Sequence, residues 1–517
     1  MDMKSTTYYM IFPVLLCLMR SASAGGEGAT SGDLLIDLDT FVVQATRSTE
    51  RVFDLPYAVD VVDQETMFRN SVRSLPEALS ETPGVLVQKT ANGHGSPFIR
   101  GFTGYRTLTM VDGVRYNNSV YRDGPNEYFS LIDFKTLDQI ELLLGPSSTL
   151  FGSDAIGGTV NLRSKASGYL YEELGLEFIH GSQSYRYSSG EDSHITRTEF
   201  DLGVGAAWGL FVGYSWKQFG EVDAADVGRQ QKTNYDEWSW DARFDMSLSD
   251  QWTLALAHQY LEQDGVWRTH STIYGLSYSG TKVGSDLRRF KDQSRELNYA
   301  KLVGEELDGG IDRVVLTLSY QRWDEDGDRI KSDSSRIVDG FDSHMYGADV
   351  QFESATEIGD FLYGVDLYRD EVDSRRVDYS ADGSVDEVRI QGPVGDDSTY
   401  DIAGCYIRGE FALADRLTLL FGGRYTFVSA DIGQYENPET GEVASFDDSW
   451  DNFVSSIRLS YLAGAGDQFN LWAGVSQSFR APNIADLSRL GKSRSSETEV
   501  AATDLDPEAF LTYELGL

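Results

Sequence analysis

Outside its first two dozen residues the chain has no apolar run near the roughly 20 residues that a membrane helix needs, which excludes a helical membrane protein. Basic residues are scarce. The 44 Lys and Arg stand against 82 Asp and Glu, a formal net charge of −38, and that sign argues against nucleic acid, which asks for basic patches. Cysteine is nearly absent. Cys17 lies in the leading apolar stretch, so after its removal only Cys405 remains, no intrachain disulfide can form, and the lone strand thiol is expected to be a small buried hydrophobe. The six histidines are scattered, with no metal-ligand spacing, nucleophile elbow or phosphate loop. Asp324-Glu325-Asp326-Gly327-Asp328 has its glycine misplaced for an EF-hand and lacks the distal glutamate. No enzyme and no required cofactor are expected; Asp396-Asp397 and Asp447-Asp448 offer hard oxygens for Ca²⁺, with solvated acidic loops as the commoner outcome. What the chain does have is 51 glycines and 12% aromatic residues, a composition that fits a large β-structure with acidic loops.

Residues 1–24 read as a signal peptide: Lys4 is the positive end, Tyr8 to Met19 the apolar core, Ala22-Ser23-Ala24 the small-residue cleavage site. Leu16 before Cys17 argues against a lipid anchor. Residues 25–47 form a small, acidic arm with nothing to build a core, broken by the extended β-branched run Asp39-Thr40-Phe41-Val42-Val43. Residues 48–165 have the size of a compact domain. Within them Ser74 to Thr82 is expected as a short helix, with Pro76 tolerated in its first turn.

Two stretches organise that domain. Phe98 to Arg115, FIRGFTGYRTLTMVDGVR, opens on Arg100-Gly101 and closes a hairpin on Asp112-Gly113, a favoured tight-turn dipeptide. Ile140 to Arg163 combines an apolar run, the Gly145-Pro146 break and paired glycines, Gly157 and Gly158, that permit close backbone approach or positive φ. Ile99-Arg100-Gly101-Phe102, Val111-Asp112-Gly113-Val114-Arg115, Ile140-Glu141, Gly145-Pro146 and the Gly152 to Asn161 turn, in this order and spacing, resemble the plug signature of TonB-dependent outer-membrane receptors.

Beyond Lys165 the pattern changes to segments of alternating polarity, as in a transmembrane β-barrel. Val314, Leu316, Leu318 and Tyr320 share one face; Leu417, Leu419, Phe421, Tyr425 and Phe427 share another, opposed by Thr418, Gly422, Arg424 and Thr426. Lipid takes the first kind of face and a wet lumen the second. Ser249-Asp250 and Asp415-Arg416 read as short periplasmic turns, and Asp324 to Asp342 and Val372 to Thr399 as external loops. The expected fold is mainly β: a mixed α/β plug inside an antiparallel barrel over residues 166–517. About fourteen strands are counted where a plugged lumen goes with ~22, so the barrel is read as incomplete.

The resemblance implies more. Asp39 to Val43 would be the TonB box, adding as a strand to the periplasmic partner TonB, itself driven by an inner-membrane complex. Asn92, His94 and Ser96 on one plug loop, and Asn117, Asn118, Tyr121 and Arg122 on the other, would face outward and touch ligand. The family commonly locks plug to barrel with two plug arginines and two barrel glutamates; Arg100 and Glu514 match one of each. Leu144 stands where Arg or Lys is usual, and Arg480 is expected to take that role. The implied function is energised import of a scarce chelate across the Gram-negative outer membrane, among lipid and lipopolysaccharide, as a monomer. An iron–siderophore is preferred to cobalamin or haem. A passive porin or a surface adhesin is the alternative.

Overall fold

The computed structural model describes residues 41–42, 46–277, 280, 282–464, 468–494 and 497–517. Residues 1–24, read as a signal peptide, and most of the arm, including Asp39, Thr40 and Val43, lie outside the described residues.

The plug is built on a five-stranded mixed sheet in the order Ala58–Asp63, Leu137–Leu144, Gly158–Ser164, Leu108–Val111, Val114–Arg115. The strand Leu137–Leu144, beside the central one, is covered on both faces: Ile140, Leu142 and Leu143 are buried, and so is Glu141 among them, which accepts from the Asn161 Nδ2 at 3.2 Å. A strand buried on two sides carries apolar residues on both faces rather than in strict alternation, and a polar one where it is hydrogen-bonded. Asp112 and Gly113 both take positive φ, 51° and 83°, as a type I′ hairpin turn demands. The paired glycines are there for close approach. A Cβ on Gly157 would stand 2.5 Å from the Phe102 Cβ, and one on Gly158 would stand 2.6 Å from the Leu143 carbonyl oxygen. The helix expected over residues 74–82 is shorter, Leu75–Ala78, with Pro76 in its first turn. A second helix, Gln64–Arg69, is capped by the Asp63 carboxylate, which accepts from the Thr66 amide.

Fourteen antiparallel strands follow in chain order, from Glu177–Ser188 to Glu508–Gly516, each pairing with its sequence neighbour along the wall. Alternation holds as expected. Leu511, Tyr513 and Leu515 are exposed on the outer face, as are Leu316, Leu318, Phe421, Tyr425 and Phe427, whereas Arg424 and Thr426 are buried on the inner face. Cys405 corrects the sequence reading: it is exposed, because it pairs in register with outward-facing Val365 and Tyr425.

Several expected external loops are tall hairpins instead. The Arg313–Ile330 and Arg336–Thr356 strands run 18 and 21 residues, so the loop read over Asp324 to Asp342 is mostly ladder. Over Asp324 to Asp328 both faces of the strand are polar, so the period-2 signal vanishes there while pairing continues. Cross-strand charges hold the extension, with Arg336 to Asp328 at 2.7 Å and Arg375 to Asp326 at 2.7 Å.

Candidate ligand cavity and plug–wall clamps

A cavity of about 140 Å³ lies between the plug turn ending at Arg122 and the upper parts of the wall. Seven cations line it, Arg122 from the plug with Arg268, Arg289, Lys291, Arg329, Arg376 and Arg489, against the carboxylates Glu325, Asp328 and Asp339. In a chain of net charge −38 this concentration of positive charge is local and opposite to the whole. Tyr128, Phe290 and Phe341 supply apolar surface. The Arg268 Nε is buried and has no hydrogen-bond partner among the described residues. Glu127 beneath the cavity bridges Arg122 and Lys291. Burial alone would raise its pKa, but Arg122 and Lys291 hold it well below the usual carboxylate range.

Of the seven expected loop residues, Arg122 alone lines this cavity. Asn92 donates to the Thr233 carbonyl at 3.1 Å. Ser96 shares a hydrogen bond with Thr103. His94 is buried, and loss of solvent pushes its pKa down to about 3, so it is neutral at pH 7. Asn117 accepts from the Thr109 amide at 3.1 Å and donates to the Thr107 carbonyl at 3.0 Å; Asn118 accepts from the Val120 amide. Both asparagines border a separate void of about 10 Å³. Tyr121 is buried between Tyr116 and Tyr128. The turns expected to be open to the outside are therefore covered, because Asn92 meets the wall loop at Thr233 and Ser119 meets the wall at Asp370, its amide donating at 2.7 Å.

The plug meets the wall through both apolar packing, as where the Tyr116 and Tyr128 ring centres lie 4.6 and 5.8 Å from that of Trp323, and charge. Arg100 pairs with Glu514. Gly145, at φ 115°, lies against that pair; a Cβ there would stand 2.7 Å from the Arg100 Nη1 and 2.8 Å from the Glu514 Oε1. Gly145→Ala is accordingly expected to lower plug stability by about 1–3 kcal/mol, combining a strained φ with overpacking, in urea titration of the purified protein.

Arg480 does not reach this pair. It binds Asp486 at 2.5 Å and Glu508 at 3.0 Å and lies 3.6 Å over the Tyr105 ring. The ladder explains why: Glu514 is opposite Gly474 and Glu508 opposite Arg480, six positions apart, or about 20 Å along a strand. At that level the plug cation is Arg106, whose Nε donates to Glu508 at 2.8 Å.

A third group clamps the start of the plug. Phe41–Val42 runs antiparallel to Glu50–Arg51. Between them Arg47 pairs with Asp349 at 2.9 Å and Asp366 at 3.5 Å, and its guanidinium lies 4.3 Å from the Tyr406 ring centre. Arg408 donates to the Thr46 carbonyl at 3.2 Å, the Ser48 hydroxyl at 2.9 Å and Glu50 at 2.6 Å. The sequence reading missed both arginines. Arg47 sits just past the β-branched run, and parity places Arg408 on the inner wall, but neither signal names its partner.

Comparison with known proteins agrees with this architecture. The family model described as TonB-dependent receptor plug domain matches residues 51–159, and the one described as TonB dependent receptor-like, beta-barrel, matches residues 213–517. A vitamin B12 transporter of Vibrio vulnificus is 25% identical over 54% of this chain and 46% of its own length. An iron-regulated outer membrane virulence protein of Vibrio cholerae is 37% identical over 29% of the chain and 22% of its own length. The chain thus spans less than half of these two relatives. Among solved structures, a copper transporter superimposes with a TM-score of 0.71 at 16% identity, over 88% of this chain and 69% of its own. The hemophore receptor of Serratia marcescens does so with 0.71 at 18%, over 90% and 69%. With the plug motif, the fourteen-stranded wall and both family models in agreement, the chain belongs to the TonB-dependent receptor family.

Proposed function

We propose that the protein imports an anionic metal chelate, an iron–siderophore before haem or cobalamin, across the outer membrane, with TonB pulling on the Asp39 to Val43 run. The observation that carries this reading is the cation-lined cavity at the plug surface. Desolvated guanidinium and ammonium groups recognise carboxylate, catecholate or hydroxamate oxygens through charge-assisted hydrogen bonds, which are about twice as strong as neutral ones. Relatives and structural neighbours are named for vitamin B12, haem, ferric citrate and copper, so the family likeness does not choose among ligands. Among the described residues no histidine lines the cavity, which favours an oxygen-rich chelate over an axially bound haem. A passive pore would gain nothing from a plug held by Arg100–Glu514, Arg106–Glu508 and Arg47–Asp349.

Ferric citrate is a suitable anionic probe. Its binding to the purified protein is expected to weaken more than about tenfold in Arg122→Ala/Arg268→Ala, and to weaken with added salt as screened charge requires. Unchanged affinity in the double variant, or binding indifferent to salt, would overturn the anionic reading.

A further inference from the structure

Glu514 is shared. Its Oε1 accepts from Arg100 on the plug, and its Oε2 accepts from the Nη2 of Arg458 at 2.7 Å. Arg458 belongs to the wall strand Val443–Ala463, separated from Glu514 by the strand Phe469–Arg480. It reaches across because Gly474 is the register partner of both residues. A Cβ on Gly474 would stand 2.9 Å from the Arg458 Cγ and 3.0 Å from its Nη1. The arginine is almost fully buried and fixed by the wall itself, its Nη2 also donating to the Ser476 hydroxyl at 3.0 Å. Its contacts with the plug are uncharged: Nη1 donates to the Pro56 carbonyl at 3.0 Å, and the guanidinium lies 4.1 Å from the Tyr57 ring centre. On the plug side, Leu144 stands next to the lock and packs against the apolar core.

We propose that Arg458 is the second cation of the plug–barrel lock, carried by the wall instead of the plug, so that Arg100 is its only releasable charge. A buried carboxylate whose two cations both leave is stranded, and the departure is opposed by its full desolvation. Here Glu514 keeps Arg458 when the plug shifts. At this site the plug exchanges one ion pair for water and leaves Glu514 paired in the wall. Arg458 is thereby a positioning residue for release of the plug, independent of which ligand is carried.

The proposal is tested without ligand, by deuterium exchange of the plug strands Leu137–Leu144 and Gly158–Ser164 in the purified protein. Exchange in the wall strand Arg313–Ile330 reports that the wall is intact. Arg100→Ala is expected to speed plug exchange by about threefold or less, because Glu514 stays paired, and Glu514→Gln by at least about tenfold more, because two guanidinium groups lose their anion. In an Arg458→Met background the Arg100→Ala factor is expected to grow to about tenfold or more, the non-additivity of a shared partner. The proposal is overturned if Arg100→Ala is as damaging as Glu514→Gln, or if its factor is the same in both backgrounds. Should Arg458→Met disturb the wall strand, the first comparison decides alone.

Discussion

Asp366→Ala is expected to destabilise the plug-bearing wall by about 3–5 kcal/mol, the cost of leaving a buried cation without its anion. The Asp366 carboxylate accepts from Arg424 at 2.7 and 2.6 Å, and Arg47 lies 3.5 Å away. The Arg424 side chain is 0% exposed, so no water can replace the lost oxygens. Arg424 also supports the plug directly: Gly152, at φ 79°, lies against it, and a Cβ there would stand 2.8 Å from the Arg424 Nε. The loss should reach both bodies, and denaturant titration should show it as a shift of the unfolding midpoint. Asp366→Ala/Arg424→Met is expected to recover much of it, since no orphan charge remains. By contrast, removing Arg229 from its pair with Glu221 in the loop after Trp208–Phe219, where the arginine is 62% exposed, should cost about 1 kcal/mol or less. An Asp366→Ala protein within about 1 kcal/mol of wild type would show that the buried cluster is solvated or repaired by neighbours.

These clamps explain how a plug can be both held and movable. The charged plug–wall contacts run through Arg47, Arg100, Arg106, Lys217 with Asp133, and Lys291 with Glu127, beside the apolar packing of Tyr116 and Tyr128 on Trp323. Charged groups regain hydration when they part, so these contacts open at lower cost than apolar ones of equal area.

The sequence was most informative where a local rule decides the geometry. Asp112-Gly113 needs two positive φ values, Gly157 and Gly158 need missing Cβ atoms, and alternation along a lipid-facing strand needs only parity. Parity puts Glu514 and Thr512, with Asn470, Ser476 and Ser478 on the neighbouring strand, on the inner face, as observed. The same rule, applied across the ladder, would have set Cys405 beside Tyr425 on the outer face. What local rules cannot supply is the partner. Arg458 meets Glu514 only because Gly474 stands between them in register, and Arg47 meets Asp349 across 302 residues of chain. Arg480 is expected beside Glu514 because Leu144 leaves the lock short of a cation, whereas the register holds the two six positions apart. The cavity was missed for a related reason: Arg329 and Arg376 lie in stretches read as external loops, but no local rule brings those loops together with Arg268, Lys291, Arg489 and the plug's Arg122 around one void.

The central claim is that the ligand enters by energy drawn through the Asp39 to Val43 run, and Val42→Pro addresses it. Phe41–Val42 pairs antiparallel with Glu50–Arg51 and lies just before residues 46–50, which Arg47 and Arg408 hold to the wall. A strand that must re-pair with TonB needs its main-chain donors, and proline removes one and fixes φ near −65°. The cavity lies at the other end of the plug's charge network, so equilibrium binding should not change. The measurement is uptake of ⁵⁵Fe-citrate by cells displaying the receptor, beside ⁵⁵Fe-citrate binding to their outer membranes. The account predicts wild-type binding with uptake lowered to the level of cells lacking TonB. Undiminished uptake in Val42→Pro would contradict it.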